Sequence, residues 1–207
     1  MEVKICGITH KDEISALNSL KPDYIGFVFA ESKRKVSKYE AKALYELVYK
    51  DIKVVGVFRN NSREFIEDIL KDIPLDVVQL HGEEDIEFIE YFNKNYPSKV
   101  WKGESINSKE DLEKALTLPV STLILDSKNP GSGKVFPWEY LENIKGKQKI
   151  FLAGGINTEN IHEAIKIDNI HGIDVSSGVE CISKGIRRKD PVKIKKIIEE
   201  VRGKHER

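Results

Sequence analysis

Residues Val54 to His81 read VVGVFRNNSREFIEDILKDIPLDVVQLH, and the fold is decided by this stretch. Its ends, Val54–Phe58 and Val77–Leu80, are nearly continuous apolar runs, the pattern of strands covered on both faces. Between them Phe65, Ile66, Ile69, Leu70 and Ile73 recur three and four apart, which marks one face of a helix. A strand, a helix and a second strand of this kind form a parallel βα unit.

The same unit repeats outward in both directions. The predicted strands are Val3–Gly7, Tyr24–Phe29, Val54–Phe58, Val77–His81, Val100–Gly103, Thr122–Asp126, Ile150–Gly155 and Gly172–Gly178. Charged amphipathic stretches separate them, such as the one carrying Ile161, Ala164 and Ile165. Thr9 with Asp12, Ser37 with Glu40 and Ser108 with Asp111 have capping-box spacing, and Pro191 suits a first helical turn. Eight strands alternating with eight helices predict an α/β fold, a single (β/α)8 TIM barrel over residues 1–207 as one domain. An open doubly wound sheet would need a glycine-rich dinucleotide loop after the first strand, and Cys6-Gly7-Ile8-Thr9 is not one.

Composition narrows the function. The 207 residues carry 34 Lys+Arg against 34 Asp+Glu, and this balance argues against a nucleic-acid partner, which usually demands a basic excess. The basic stretches Lys33–Lys38 and Ile186–Lys196 read as solvated faces. No apolar run is long enough for a membrane span, and the opening residues do not form a signal segment. With only 2 Cys in a chain large enough to need no staples, the expectation is a cytoplasmic, reducing setting.

In a barrel of this kind, reactive groups gather at the C-terminal strand ends. Those ends supply Cys6, Arg34, Gln79, His81, Lys102, Glu104, Asp126, Gly154, Gly155 and Asp174 through Gly178. The set is an acid–base constellation around a bound anion. Ala153-Gly154-Gly155-Ile156-Asn157 and Ser176-Ser177-Gly178 each end a predicted strand and lead into a predicted helix. Glycines there admit an anion to backbone N–H groups at a helix start, so the pair points to a phosphorylated substrate. Cys6 is either a buried filler or a thiol activated by the helix that follows it. Asp126 is either a loop cap or a tuned acid, followed by the glycine-rich Ser127 to Lys134; His81 orients substrate or satisfies a carbonyl. Cys181 is read as incidental, on a polar turn, and the histidine spacing offers no metal site.

In order along the chain, Lys4-Ile-Cys-Gly-Ile-Thr, Gly26-Phe-Val-Phe, Ser32-Lys-Arg, Gly56-Val-Phe, Gln79-Leu-His-Gly, Asp126 with Gly131-Ser-Gly-Lys, Gly154-Gly-Ile-Asn and Asp174-Val-Ser-Ser-Gly-Val-Glu resemble phosphoribosylanthranilate isomerase of tryptophan biosynthesis. The resemblance implies the (β/α)8 fold and an Amadori rearrangement of N-(5-phosphoribosyl)anthranilate to 1-(2-carboxyphenylamino)-1-deoxyribulose 5-phosphate. It implies Asp126 as general acid and Cys6 as general base, with no metal and no cofactor. It further implies Arg34 for the anthranilate carboxylate, and His81 and Asp174 as other substrate-lining residues. Gly154, Gly155, Ser177 and Gly178 would hold the 5′-phosphate. The implied partner is a small-molecule phosphosugar, for a monomer or homodimer. The chain departs from the pattern at Arg59, where an apolar residue is more usual, and in the extra residues of Gly185-Ile-Arg-Arg-Lys-Asp.

Two alternatives stand beside this reading. A related sugar-phosphate barrel such as indole-glycerol-phosphate synthase would use a lysine, for which Lys102 is the candidate. A non-catalytic barrel would bind a phosphorylated metabolite without turning it over.

Overall fold

The computed structural model describes residues 1–96, 100–126, 138–141, 144, 146–183 and 185–203. Eight parallel strands pair in sequence order: β1 (Glu2–Cys6), β2 (Tyr24–Val28), β3 (Lys53–Phe58), β4 (Val77–Leu80), β5 (Val100–Ser105), β6 (Thr122–Asp126), β7 (Lys149–Leu152) and β8 (Gly172–Val175). β8 then pairs with β1, which closes the barrel. Seven α-helices are described: α1 (Lys11–Leu20), α2 (Lys38–Tyr45), α3 (Arg63–Asp72), α4 (Ile86–Asn95), α5 (Lys109–Ala115), α6 (Ile161–Ala164) and α7 (Pro191–Gly203). Between β6 and β7, where an eighth helix is expected, the described residues hold a 3-10 turn, Trp138–Leu141. The glycine-rich segment Ser127 to Lys134 lies outside the described residues.

The strands separate two apolar layers. Outward-facing residues such as Val54, Val78 and Leu80 pack against helix faces, including Ile66 and Ile69 of α3, while Phe65 stays partly exposed. Inward-facing residues form a second cluster with Cys6, Tyr24, Val55, Val57, Trp101 and Phe151. Tyr24, Trp101 and Phe151 meet with ring centroids 4.8 to 5.9 Å apart and plug the lower interior. The space left open is therefore at the other end, where the strands terminate.

Ser37 and Ser108 cap α2 and α5 with reciprocal bonds to Glu40 and Asp111, as their spacing predicts. α1 differs. Its cap is His10, and Glu13 closes the box by accepting from the Thr9 and His10 amides, so the Thr9–Asp12 expectation is one residue out of register.

A larger correction follows β8. No helix starts at Ser176-Ser177-Gly178; an antiparallel hairpin intervenes, β9 (Glu180–Ser183) with β10 (Ile186–Lys189), before α7 begins at Pro191. Glu180 faces Lys189 across the ladder, an opposite-charge pair that suits such a hairpin. The extra residues at Gly185 to Asp190 build it, and Cys181 lies on β9 rather than on a turn.

Candidate active site

A cavity of about 620 Å³ opens over the strand ends. Cys6, Arg34, His81, Asp126, Gly154, Gly155, Asp174 and Ser177 all line it. Gly178 stands behind that wall, bridged to Asn157; a Cβ there would collide with the Ile156 carbonyl. Its role in the structure is to let the turns after β7 and β8 touch.

Cys6 ends β1 and is 8 % exposed. Its register partner on β2 is Gly26, where a Cβ would lie 2.9 Å from the sulfur, so this glycine makes room for the thiol. Lys4 shares the inward face of β1, two residues deeper, and its fully buried ammonium contacts Asp174 at 2.6 Å. Burial pushes the Cys6 thiol up; Lys4 pulls it down most, Asp174 pushes it up, and Lys189 lowers it further. The expected activation by a following helix is not what the fold provides. α1 begins only at Lys11, and the Thr9 and His10 amides just before it are already taken by Glu13. The cations that favour a thiolate are Lys4, from the same strand, and then Lys189 of β10.

Arg34 follows β2 and reaches across Gly7, whose φ of +80 and missing Cβ leave space for the Arg34 side chain. Its guanidinium forks onto Glu180, Nε to Oε1 at 2.5 Å and Nη2 to Oε2 at 2.9 Å. Glu180 also accepts from Arg187 Nη1 at 2.6 Å and Lys189 Nζ at 2.9 Å. Burial pushes the Glu180 carboxyl up, but Arg34, Lys189 and Arg187 outweigh it and hold it at about 2. Arg187 itself lines the cavity. Arg34, Arg187 and Lys189 thus turn inward from stretches that composition alone assigns to solvent.

His81 follows β4, and Gly103 on β5 has no side chain where its imidazole lies. Burial, and then Lys4, pull His81 down to about 4, so the ring is neutral near pH 7. Gln79 Nε2 lies 3.2 Å from His81 Nδ1; with the amide donating, the ring proton sits on Nε2. Two buried acceptors on the cavity wall, Gln79 Oε1 and Asp174 Oδ1, have no hydrogen-bond partner among the described residues. Both suit a hydroxyl-bearing ligand.

Asp126 ends β6 with its side chain at the cavity wall. Past β7, Gly154 and Gly155 take φ of +79 and +71, successive left-handed positions that turn the backbone over the barrel mouth. α6 does not follow directly: Asn157 and Asn160 first tie the Gly155 carbonyl into a turn, and α6 is a single helical turn from Ile161. An anion placed here would therefore meet the glycine turn rather than a helix dipole.

Lys102 points the other way. Its Nζ donates to the Gly82 carbonyl at 2.7 Å and pairs with Glu104 at 3.0 Å and Glu84 at 3.5 Å. It lies outside the cavity wall, which removes the lysine-based alternative. Among the described residues no cluster of three or more His, Cys, Asp or Glu is arranged to hold a metal, and no helix is long and apolar enough to cross a membrane.

Residues 3–200 match the family model described as N-(5'phosphoribosyl)anthranilate (PRA) isomerase. The chain belongs to that family. It is 46% identical over 207 residues to the N-(5'-phosphoribosyl)anthranilate isomerase of Thermoanaerobacter sp. (strain X514), covering 98% of both chains. The crystal structure of the phosphoribosyl anthranilate isomerase from Thermotoga maritima superposes with a TM-score of 0.89 at 35% identity, over 98% of this chain and 99% of that one. A further isomerase structure, in complex with reduced 1-(o-carboxyphenylamino)-1-deoxyribulose 5-phosphate, matches at TM-score 0.83 and 33% identity, covering 98% and 99%. As a member of this family the chain is an isomerase of tryptophan biosynthesis.

The residues that sequence reasoning passed over are Lys4, Glu180, Arg187 and Lys189. Lys4 was within reach, since period 2 on β1 puts it on the face of Cys6. The others depend on a hairpin with no apolar alternation to announce it.

Proposed function

We propose that this family member carries out the Amadori rearrangement with Asp126 as general acid and Cys6 as general base. Asp126 protonates the furanose ring oxygen, the C1′–O bond breaks, and the anilino nitrogen lone pair forms an iminium. The Cys6 thiolate then takes the C2′ proton, the C–H electron pair forms the C1′=C2′ bond, and the C1′=N pair returns to nitrogen to give an enolamine. Protonation at C1′ and loss of the O2′ proton leave the aminoketose. The iminium acidifies the neighbouring C–H, so the step calls on no metal or organic cofactor.

The carrying observation is that thiol and carboxyl border one cavity, together with the left-handed glycine turn and a guanidinium. An acid and a base active at one pH need environments that push their pKa values apart. Burial keeps Cys6 protonated in the resting site; Lys4, Arg34 and Lys189 surround it with positive charge. The cationic iminium adds one more, so the thiol loses its proton when the base is needed. Gly154, Gly155 and Ser177 hold the 5′-phosphate, with Gly178 allowing their two turns to pack. Arg34 takes the anthranilate carboxylate, and Asp174 Oδ1 and His81 face the sugar hydroxyls.

The test is loss of the fluorescence of the N-substituted anthranilate when enzyme is added to freshly made substrate. Cys6→Ala and Asp126→Asn should each lower kcat by about 10²–10⁴, the size of a general acid–base contribution. Full turnover in either variant refutes its assigned role.

A further inference from the structure

Arg34, Arg59 and Arg187 line the cavity, and the β9–β10 hairpin is what brings the Arg187 guanidinium there. Oε2 of Glu180 accepts from Arg34 Nη2 at 2.9 Å and from Arg187 Nη1 at 2.6 Å, so two arginines converge on one oxygen. Lys189 takes the other oxygen at 2.9 Å. Three cationic side chains thus share a single carboxylate. Burial pulls the Lys189 ammonium down, yet the two guanidiniums alone still exceed the one negative charge. The nearby Asp174 does not compensate, because its carboxylate is paired with Lys4. Like charges held together at the mouth of a cavity are a cost to the empty protein, and an entering anion relieves it.

Arg34 and Arg187 reach Glu180 from different parts of the chain, one from the segment after β2 and the other from β10. Two of the Arg34 donors and one of the Arg187 donors are occupied there, which leaves N–H groups of both forks for a ligand. We propose that Arg187 is a further substrate-binding residue, held beside Arg34 by Glu180 and directed with it at the carboxylate of the anthranilate ring. Glu180 is then a positioning residue, a bracket that sets the separation of two guanidiniums around one carboxylate. This rests on the functional reading above and adds a carboxylate-specificity device located in the hairpin.

The experiment compares two reduced product analogues by calorimetry, one with the ring carboxylate and one with a plain anilino ring, on wild type and Arg187→Met. Hydrogen bonds to charged groups predict a rise in Kd of about 10–100-fold for the carboxylate analogue. For the anilino analogue the change should stay within about twofold. Arg187→Lys, which keeps the charge near Glu180 but loses the fork, should fall between. In turnover the loss should appear in KM more than in kcat. An equal loss for both analogues assigns Arg187 to the phosphate or to packing alone, and no loss removes it from the site; each overturns the proposal. Wild-type turnover reports separately on the underlying reading.

Discussion

Lys4 and Asp174 meet at 2.6 Å inside the barrel, from neighbouring strands on which they are register partners. The Lys4 side chain is fully buried and that of Asp174 is 9 % exposed. A buried pair of this kind offers little net stability by itself, but it is costly to break. Its position one step below Cys6 links the packing of the interior to the state of the thiol.

Lys4→Met leaves the Asp174 carboxylate uncompensated and should cost about 3–5 kcal/mol in urea unfolding. Adding Asp174→Asn should recover part of that loss, because no lone charge remains buried. Removing the cation also raises the Cys6 thiol further, so iodoacetamide should alkylate Cys6 more slowly at pH 8 in Lys4→Met. An unchanged alkylation profile would separate Lys4 from the thiol.

Gly7→Ala places a methyl group into the Arg34 side chain at a residue with φ of +80. Backbone strain of this kind costs about 1–3 kcal/mol. Because Arg34 must also leave Glu180, KM should rise along with the loss of stability. A lower melting temperature with unaltered KM would mean that Arg34 finds its place without the glycine.

His81 is held at about 4, below its unfolded value of about 6.5. The unfolded chain therefore binds a proton that the folded one refuses, and stability falls as pH drops between those two values. His81→Asn should flatten the stability curve across that window. By NMR, the His81 ring should stay neutral at pH 6; a midpoint near 6.5 would contradict the environment described.

Lys102→Met removes the partner of Glu84, whose side chain is 3 % exposed, and should destabilise the protein by about 3–5 kcal/mol. The folded fraction should keep its kcat to within a few-fold, since the ammonium lies outside the cavity. Abolished turnover in a folded variant would restore the lysine-based chemistry.

Much of the site was legible because barrel strands place chemistry at their C-terminal ends. Cys6, His81, Asp126 and Asp174 follow from that rule once the eight apolar runs are counted. Which way a strand residue points was harder to read. Lys102 falls near the end of the expected strand Val100–Gly103, yet β5 runs on to Ser105 and its alternation turns Lys102 outward. The hairpin was not legible at all, since β9 and β10 are only four residues each and no apolar alternation marks them; Glu180 opposite Lys189 is the single opposite-charge pair in their register.

The order of apolar runs and helix caps along the chain determined the barrel, because periodicity and capping are local properties that neighbouring residues carry together. The charge environment was decided only by closure of the sheet. Lys4 meets Asp174 across 170 positions and Arg34 meets Glu180 across 146. Such pairs depend on register around the full circumference and on burial, which strengthens every interaction inside the barrel, and neither is written in any one segment.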